Sequence, residues 1–251
     1  MNDDIELSIV IPVLNGEPFL KSSLDKLAFW SRQQTYATEL ILVNDGSSDK
    51  TQEILNNFHD IKSCLVVNFD KNLGKGAAIK AGLEKARGFY VAFTDADLPY
   101  GLEIFIDMLG KFKVNSKISL VYGSRSHPSS VYKEGYGLGR RLGRFFFSAL
   151  IRLIVPIGVA DTQSGIKIFR NDLARLVAEK LTVHRFAFDV EIFAIAKQNN
   201  FQYIDFPVVL NQRKESSVHF FKDTLNMIKD ILKIRYLMFV GYYRKPLTFN
   251  L

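Results

Sequence analysis

The chain has 251 residues, 47% hydrophobic and 24% charged, an ordinary globular composition long enough for one large α/β core or two small ones. Its formal net charge of +7 and pI near 9.3 suit an anionic partner, whether nucleotide, phospholipid surface or nucleic acid. Cys64 is the only cysteine, which excludes a disulfide framework and a cysteine metal site and fits a reducing compartment.

Asp3, Asp4 and Glu6 precede the first strand, so the N-terminus does not read as a signal peptide and a cytoplasmic location is expected. Leu7 to Leu14 is the near-continuous apolar run of a strand buried on both faces, with Pro12 placing its end outside the hydrogen-bonded ladder. Phe19 to Trp30 reads as a helix, Leu40 to Val43 as a strand, and Ser48 to Phe58 as a helix opened by Ser47-Ser48-Asp49. Leu65 to Phe69 is the next strand, Ala77 to Ala86 a helix, Phe89 to Phe93 a strand and Glu103 to Phe112 a helix. Strands alternating with helices at this pitch predict a mainly parallel sheet covered on both faces. No repeat or linker divides the chain, so one domain is expected over 1–217, with a C-terminal amphipathic extension over 218–251. No apolar run reaches the roughly 18 uncharged residues of a spanning helix; the nearest, Phe145 to Gly158, is interrupted by Arg152.

Ligands of parallel sheets bind beyond the carboxyl ends of the strands. Four polar clusters fall there: Asn15-Gly16-Glu17, Asn44 to Ser47, Asp70 to Gly76, and Asp95-Ala96-Asp97. Each alone is ordinary turn chemistry; four in succession predict one crevice. Strand periodicity puts Asp95 and Asp97 on one side, where the two carboxylates repel unless a hard cation such as Mg²⁺ or Mn²⁺ lies between them. The plain alternative is that Asp97 opens a helix beginning at Pro99. In Asn72 to Ala78 the glycines, a helix start and Lys75 suggest an anion cradle, although the spacing matches no standard phosphate loop.

Ile11-Pro12 with Asn15, Val43 to Asp49, Asn72-Leu-Gly-Lys-Gly76 and Asp95-Ala-Asp97 together resemble the family 2 glycosyltransferases of the GT-A fold. Gly123-Ser-Arg125, Asp161 to Lys167 and Arg185 to Glu191 are similar to one branch, the polyprenyl-phosphate sugar synthases of the dolichyl-phosphate glucosyltransferase type. The resemblance implies a Rossmann-like GT-A domain that inverts the sugar carbon while moving a hexose from a nucleotide-sugar donor, UDP-glucose or GDP-mannose, to a polyprenyl phosphate. It implies a Mg²⁺ or Mn²⁺ cofactor on Asp97, and catalytic roles for Asp95, Asp97 and Asp161. Pro12, Leu14, Glu17, Val43, Asp45, Lys75, Asp95, Ala96, Gln163 and Ser164 would bind the donor. Arg125, Arg140, Arg144 and Arg213 would meet the acceptor phosphate. Asn44 stands where an Asp is common, Gly16 where a Glu is, and Ser217 where a Lys is, which leaves the sugar and base open.

A lipid acceptor calls for a membrane-facing surface. Arg140, Arg144 and Arg152 recur at multiples of four opposite Leu142, Phe145, Phe146, Ala149 and Leu153, and Lys222, Lys229 and Lys233 are set against Phe221, Ile228, Ile231 and Leu232. The expectation is a peripheral protein on the cytoplasmic face of the membrane, with no nucleic-acid partner and with an integral membrane partner or a homo-oligomer left open. A soluble glycan acceptor, and a silent partner that binds nucleotide sugar without turnover, are the alternatives.

Overall fold

The computed structural model describes residues 5–61, 63–132, 148–210 and 220–245. Strands β1 (Leu7–Val13), β2 (Thr38–Asn44), β3 (Cys64–Asn68) and β4 (Tyr90–Phe93) alternate with helices α1 (Leu20–Arg32), α2 (Thr51–Asn56), α3 (Lys75–Lys85) and α4 (Ile104–Val114). There follow β5 (Ile118–Ser124), β6 (Val131–Tyr132), helical residues 148–154 (α5), and β7 (Lys167–Arg170). The chain continues through α6 (Asn171–Lys180), α7 (Phe188–Gln198), β8 (Gln202–Pro207), β9 (Val209–Leu210) and α8 (Phe220–Phe239).

Seven strands form one sheet in the order β3-β2-β1-β4-β7-β5-β8, and β6 pairs with β9 beside it. All neighbours in the large sheet are parallel except at β7, which runs against both β4 and β5. Alternation along β1 sends Leu7, Ile9, Ile11 and Val13 into one hydrophobic layer, with α1 and α4, and Val10 into the other, with α3, α6 and α7. Apolar cores on both faces are what a parallel sheet requires.

Three local readings change. Residues 48–50 stay out of α2, because the stretch from Ser47 to Lys50 is spent on the β1–α1 loop: Asn15 N–H donates to Ser47 Oγ (2.9 Å), Glu17 N–H to Asp49 Oδ2 (3.0 Å), Ser48 N–H to Asn15 Oδ1 (2.9 Å) and Lys50 N–H to Glu17 Oε2 (3.2 Å). Pro12 lies inside β1, but the β1–β4 ladder stops at Val10 opposite Phe93, so the missing N–H falls past it while the β2 ladder runs on to Val13. Pro99 begins no helix: Leu98 N–H donates to Asp95 O (3.0 Å), Leu98 has φ +51°, and α4 starts at Ile104.

Among the described residues no helix is long and apolar enough to cross a membrane. Helix α8 buries Ile231, Ile234 and Met238, and Tyr243 just beyond it, in the larger core layer. Its other face carries the exposed Leu232, Tyr236 and Phe239.

Candidate active site

The reversed strand builds the site. Phe93 at the end of β4 stands opposite Lys167 at the start of β7, and carrying that antiparallel register outward sets Asp95 opposite Gly165. A side chain at Gly165 would collide with Asp95 Oδ2. The glycine is therefore what lets the two loops close together. Tyr100 joins them from the other side, accepting from Gly165 N–H (2.9 Å) and lying 3.4 Å from Ser164 Oγ. Burial, and then the nearby Asp95 charge, push its phenol up to about 12, so it stays protonated.

Beneath the loops lies Lys167, fully buried in β7. Its ammonium donates to Thr162 O (3.0 Å), Ser164 O (2.9 Å) and Asp189 Oδ1 (2.5 Å), and packs 5.1 Å from the Phe93 ring. An ion in the core is tolerable only with its donors satisfied. Here they hold loop 161–165 in shape. Asp161 in that loop is nearly inaccessible and takes a fork from Arg125: Nε to Oδ2 (2.8 Å), Nη2 to Oδ1 (2.7 Å), with the Arg125 N–H also on Oδ2 (2.8 Å). Burial alone would raise its carboxyl, but these bonds and the guanidinium charge hold it below the usual carboxylate range.

At the rim, Pro12, Val13, Leu14, Asp45, Asn72, Gly74, Lys75, Asp95, Arg185 and Phe186 line a cavity of about 360 Å³. Five of the expected donor-binding residues thus meet at one place: Pro12, Leu14, Asp45, Lys75 and Asp95. Lys75 makes an ion pair with Asp95 Oδ1. Burial would lower its ammonium, yet the charges of Asp95 and Asp189 carry it above its ordinary value. Asp45 accepts from Leu73 N–H (2.7 Å) and Gly74 N–H (3.0 Å to Oδ2), while burial pushes its carboxyl up.

Other positions fall elsewhere. The cradle predicted in Asn72 to Ala78 holds the protein's own Asp45 carboxylate rather than an open anion site, because two of its N–H groups are spent there. Val43 has its side chain fully buried in the core and presents none to a ligand. Glu17 is exposed outside the cavity, its carboxylate accepting from Lys50 N–H (3.2 Å). Asp95 and Asp97 lie past the last strand residue, Phe93, in a turn, so strand alternation does not fix their directions. Ala96 is buried between them. Gln163 and Ser164 lie on the Asp161 loop, outside the cavity lining, with Ser164 fully buried. Arg140, Arg144 and Arg213 lie outside the described residues, as do the side chains of Phe221 and Lys222.

Among the described residues no three His, Cys, Asp or Glu side chains gather as a ready metal cluster. A divalent ion would have to share one or two carboxylates with oxygens of its ligand, the arrangement Mg²⁺ adopts with phosphates. Asp95, whose oxygen already holds a cation in Lys75, lines the cavity, and the half-buried Asp97 two residues on lies outside that lining; these are the two carboxylates of the turn that supply the chemistry of that donor set.

Tyr100 is a site residue outside every quoted motif, while Gly165, Lys167, Arg185 and Phe186 lie within the stretches Asp161 to Lys167 and Arg185 to Glu191 that carry the resemblance but have no role assigned there. Lys167 had a signal: an ionisable residue within the apolar run Ile166 to Phe169 needs a buried partner. Arg185 had only its place at the head of the Arg185 to Glu191 stretch, because loop 181–187 reaches the cavity through tertiary packing.

Residues 8–176 match the model of glycosyl transferase family 2. The human dolichyl-phosphate beta-glucosyltransferase is 30% identical over 260 residues, covering 97% of this chain and 79% of that protein. The Dictyostelium discoideum protein of the same name is 28% identical, covering 96% and 77%. Among solved structures, glucosyl-3-phosphoglycerate synthase from Mycobacterium tuberculosis, in complex with Mn²⁺, UDP and glucosyl-3-phosphoglycerate, superposes with a TM-score of 0.64 at 18% identity, covering 97% of this chain and 82% of that one. Mannosyl-3-phosphoglycerate synthase from Rubrobacter xylanophilus gives 0.67 at 17% identity, covering 98% and 78%. These two share the fold. With the matched family model spanning most of the parallel sheet and the Asp95-Ala96-Asp97 turn, the chain belongs to the family 2 glycosyltransferases.

Proposed function

We propose that this glycosyltransferase moves glucose from UDP-glucose to a polyprenyl phosphate at the cytoplasmic face of a membrane. The observation that carries the reading is the cavity at the strand ends, where apolar Pro12 and Leu14 face Asp45, Lys75 and Asp95. An apolar wall suits a nucleobase and the charged groups suit a ribose and a diphosphate. The acceptor class comes from the names of the relatives, dolichyl-phosphate beta-glucosyltransferases. UDP fits the donor because the M. tuberculosis neighbour was solved with it.

In the transfer, the bond from the sugar's anomeric carbon to the diphosphate breaks, its electron pair leaving on UDP, and an acceptor phosphate oxygen bonds that carbon from the opposite face. A phosphate monoester, with a second pKa near 6, is already ionised near neutral pH, so the acceptor needs placement more than deprotonation. That fits Asp161, which is saturated by Arg125 and held at a low pKa, a poor base but a rigid post. Lys75 carries charge toward the leaving diphosphate, where stabilisation is worth most in a site shielded from water. A Mg²⁺ or Mn²⁺ ion held by Asp97 and diphosphate oxygens would neutralise the charge that builds there. The exposed apolar face of α8, edged by Lys233 and Arg235, supports seating on an anionic lipid surface.

Incubation with UDP-glucose, GDP-mannose, a short polyprenyl phosphate and Mg²⁺, followed by mass spectrometry of the lipid, is expected to show one added hexose from UDP-glucose. The expected product is absent with Asp97→Asn. Transfer only to water-soluble phosphates or glycans would overturn the lipid acceptor.

A further inference from the structure

We infer that Arg185 binds a phosphate group in the rim cavity, and that the buried carboxylate of Glu191 positions the loop carrying it. The inference rests on the reading of this cavity as a nucleotide-sugar site. The charges in its lining are Asp45, Asp95, Lys75 and Arg185. Asp45 is answered by the N–H groups of Leu73 and Gly74, and Asp95 by Lys75. Arg185 makes no side-chain hydrogen bond or ion pair with any described residue; Asp230 on α8 lies within its field but forms no pair with it. With two carboxylates and two cations in the lining, Arg185 is the one whose side chain has no hydrogen-bond or ion-pair partner among the described residues, and its planar fork matches phosphate oxygens.

The packing puts that side chain over the loop before α3. A Cβ at Gly74 would stand 3.2 Å from Arg185 Cγ and would strike the His184 carbonyl, and one at Gly76 would strike the Val183 carbonyl. These glycines make room for the strip 183–185 beside Lys75. The strip is fastened on both sides. Toward α3, Ala77 N–H donates to His184 O (3.1 Å) and Lys80 Nζ to Leu181 O (3.0 Å). Toward α7, Glu191 Oε2 accepts from Thr182 N–H (3.0 Å) and Val183 N–H (2.7 Å). Its Oε1 accepts from the hydroxyls of Thr182 (2.7 Å) and Tyr243 (2.8 Å). Glu191 is fully buried. It ties Tyr243, four residues beyond α8, to the strip that presents Arg185.

The phosphate is that of the donor diphosphate or of the acceptor monoester, and binding measurements separate the two. Calorimetry with UDP and with uridine, and KM for a short polyprenyl phosphate, are compared for wild type, Arg185→Gln, Glu191→Ala and Glu191→Gln. Arg185→Gln is expected to weaken one phosphate-bearing ligand by about tenfold to a hundredfold, the range of a charged hydrogen bond, with uridine unchanged. A loss confined to UDP assigns the donor; a rise confined to the acceptor KM assigns the acceptor. Glu191→Ala should reproduce that loss. Glu191→Gln should rescue it, since its amide oxygen serves the two N–H groups and its amide N–H₂ the two hydroxyl oxygens. Tyr243→Phe, which removes one of the four bonds, serves if Glu191→Ala does not fold and should give a smaller loss of the same kind. Both phosphate ligands within twofold of wild type in Arg185→Gln would overturn the Arg185 assignment. Equal losses of uridine and UDP in Glu191→Ala, or in Tyr243→Phe where it stands in, would overturn positioning. A wild type without affinity for UDP overturns the donor reading itself, before any variant is compared.

Discussion

Asp161 and Arg125 show how one buried pair sets both shape and pH response. The carboxylate is almost wholly inaccessible and Arg125 mostly so. Removing the guanidinium strands a charge, which costs about 3–5 kcal/mol in a buried pair. Arg125→Gln strands the carboxylate, while Asp161→Asn strands the guanidinium and turns an amide N–H₂ against one of the donors on the carboxylate. Both should destabilise the protein, Arg125→Gln the more because Asp161 is the deeper charge. Because the folded carboxyl is held below its ordinary pKa, its stabilisation is fully present above the unfolded value of about 4 and is lost as pH falls through the lower folded one. Urea midpoints of wild type and Asp161→Asn are expected to differ at pH 7 and to converge as pH drops below about 4. A gap that stays constant from pH 7 to pH 3 would show that the charge of Asp161 contributes nothing.

At the scale of elements, α3 and α4 give glycine opposite meanings. A Cβ at Gly82 of α3 would strike Val10 Cγ1 and lie 3.1 Å from Cγ2, on a fully buried residue of the interior strand β1. The helix would gain about 1 kcal/mol from alanine, but overpacking costs about 1–3 kcal/mol, so Gly82→Ala should lower stability. Gly110 of α4 has nothing within 4 Å, and Gly110→Ala should raise stability by about 0.5–1 kcal/mol. Chemical denaturation of the two variants checks the signs; a stabilised Gly82→Ala would mean that α3 does not press on β1. The first four strands and helices are legible because each carries its own period and turn residues. The site's second half is legible only as the stretches Asp161 to Lys167 and Arg185 to Glu191 that carry the resemblance, not in how they meet. Lys167 reads as part of a short apolar run, and only the pairing of β7 against β4 reveals that Gly165 meets Asp95. Such pairing joins residues some seventy positions apart, beyond the reach of a local pattern. Likewise the glycines before α3 look like an anion loop in sequence. In the fold they admit the strip 183–185 and an internal carboxylate.

Over the whole molecule, a net charge of +7 and one exposed helical face point the same way. At 100° per residue, Leu232, Tyr236, Phe239 and Val240 fall within an arc of about 100°, with Arg235 before it and Lys233 after it. All six are exposed, while Ile231, Ile234 and Met238 take the opposite side into the core. A face of this kind seats its apolar residues among acyl chains as its bases reach the headgroups. The two contributions separate by salt. Each base near an anionic surface is worth about 1 kcal/mol at physiological ionic strength, and each apolar side chain, if fully buried, about 1.5–3 kcal/mol. Flotation with phosphatidylserine vesicles should show Lys233→Gln with Arg235→Gln weakening association by about tenfold or more. That difference should disappear near 1 M salt, where the screening length is about 3 Å. Leu232→Ser with Phe239→Ser should weaken it at every salt concentration, by about a hundredfold or more where both side chains bury fully. Should both double variants float as wild type does, α8 is not the lipid-facing element, and the acceptor's chain must reach the strand-end cavity over another surface.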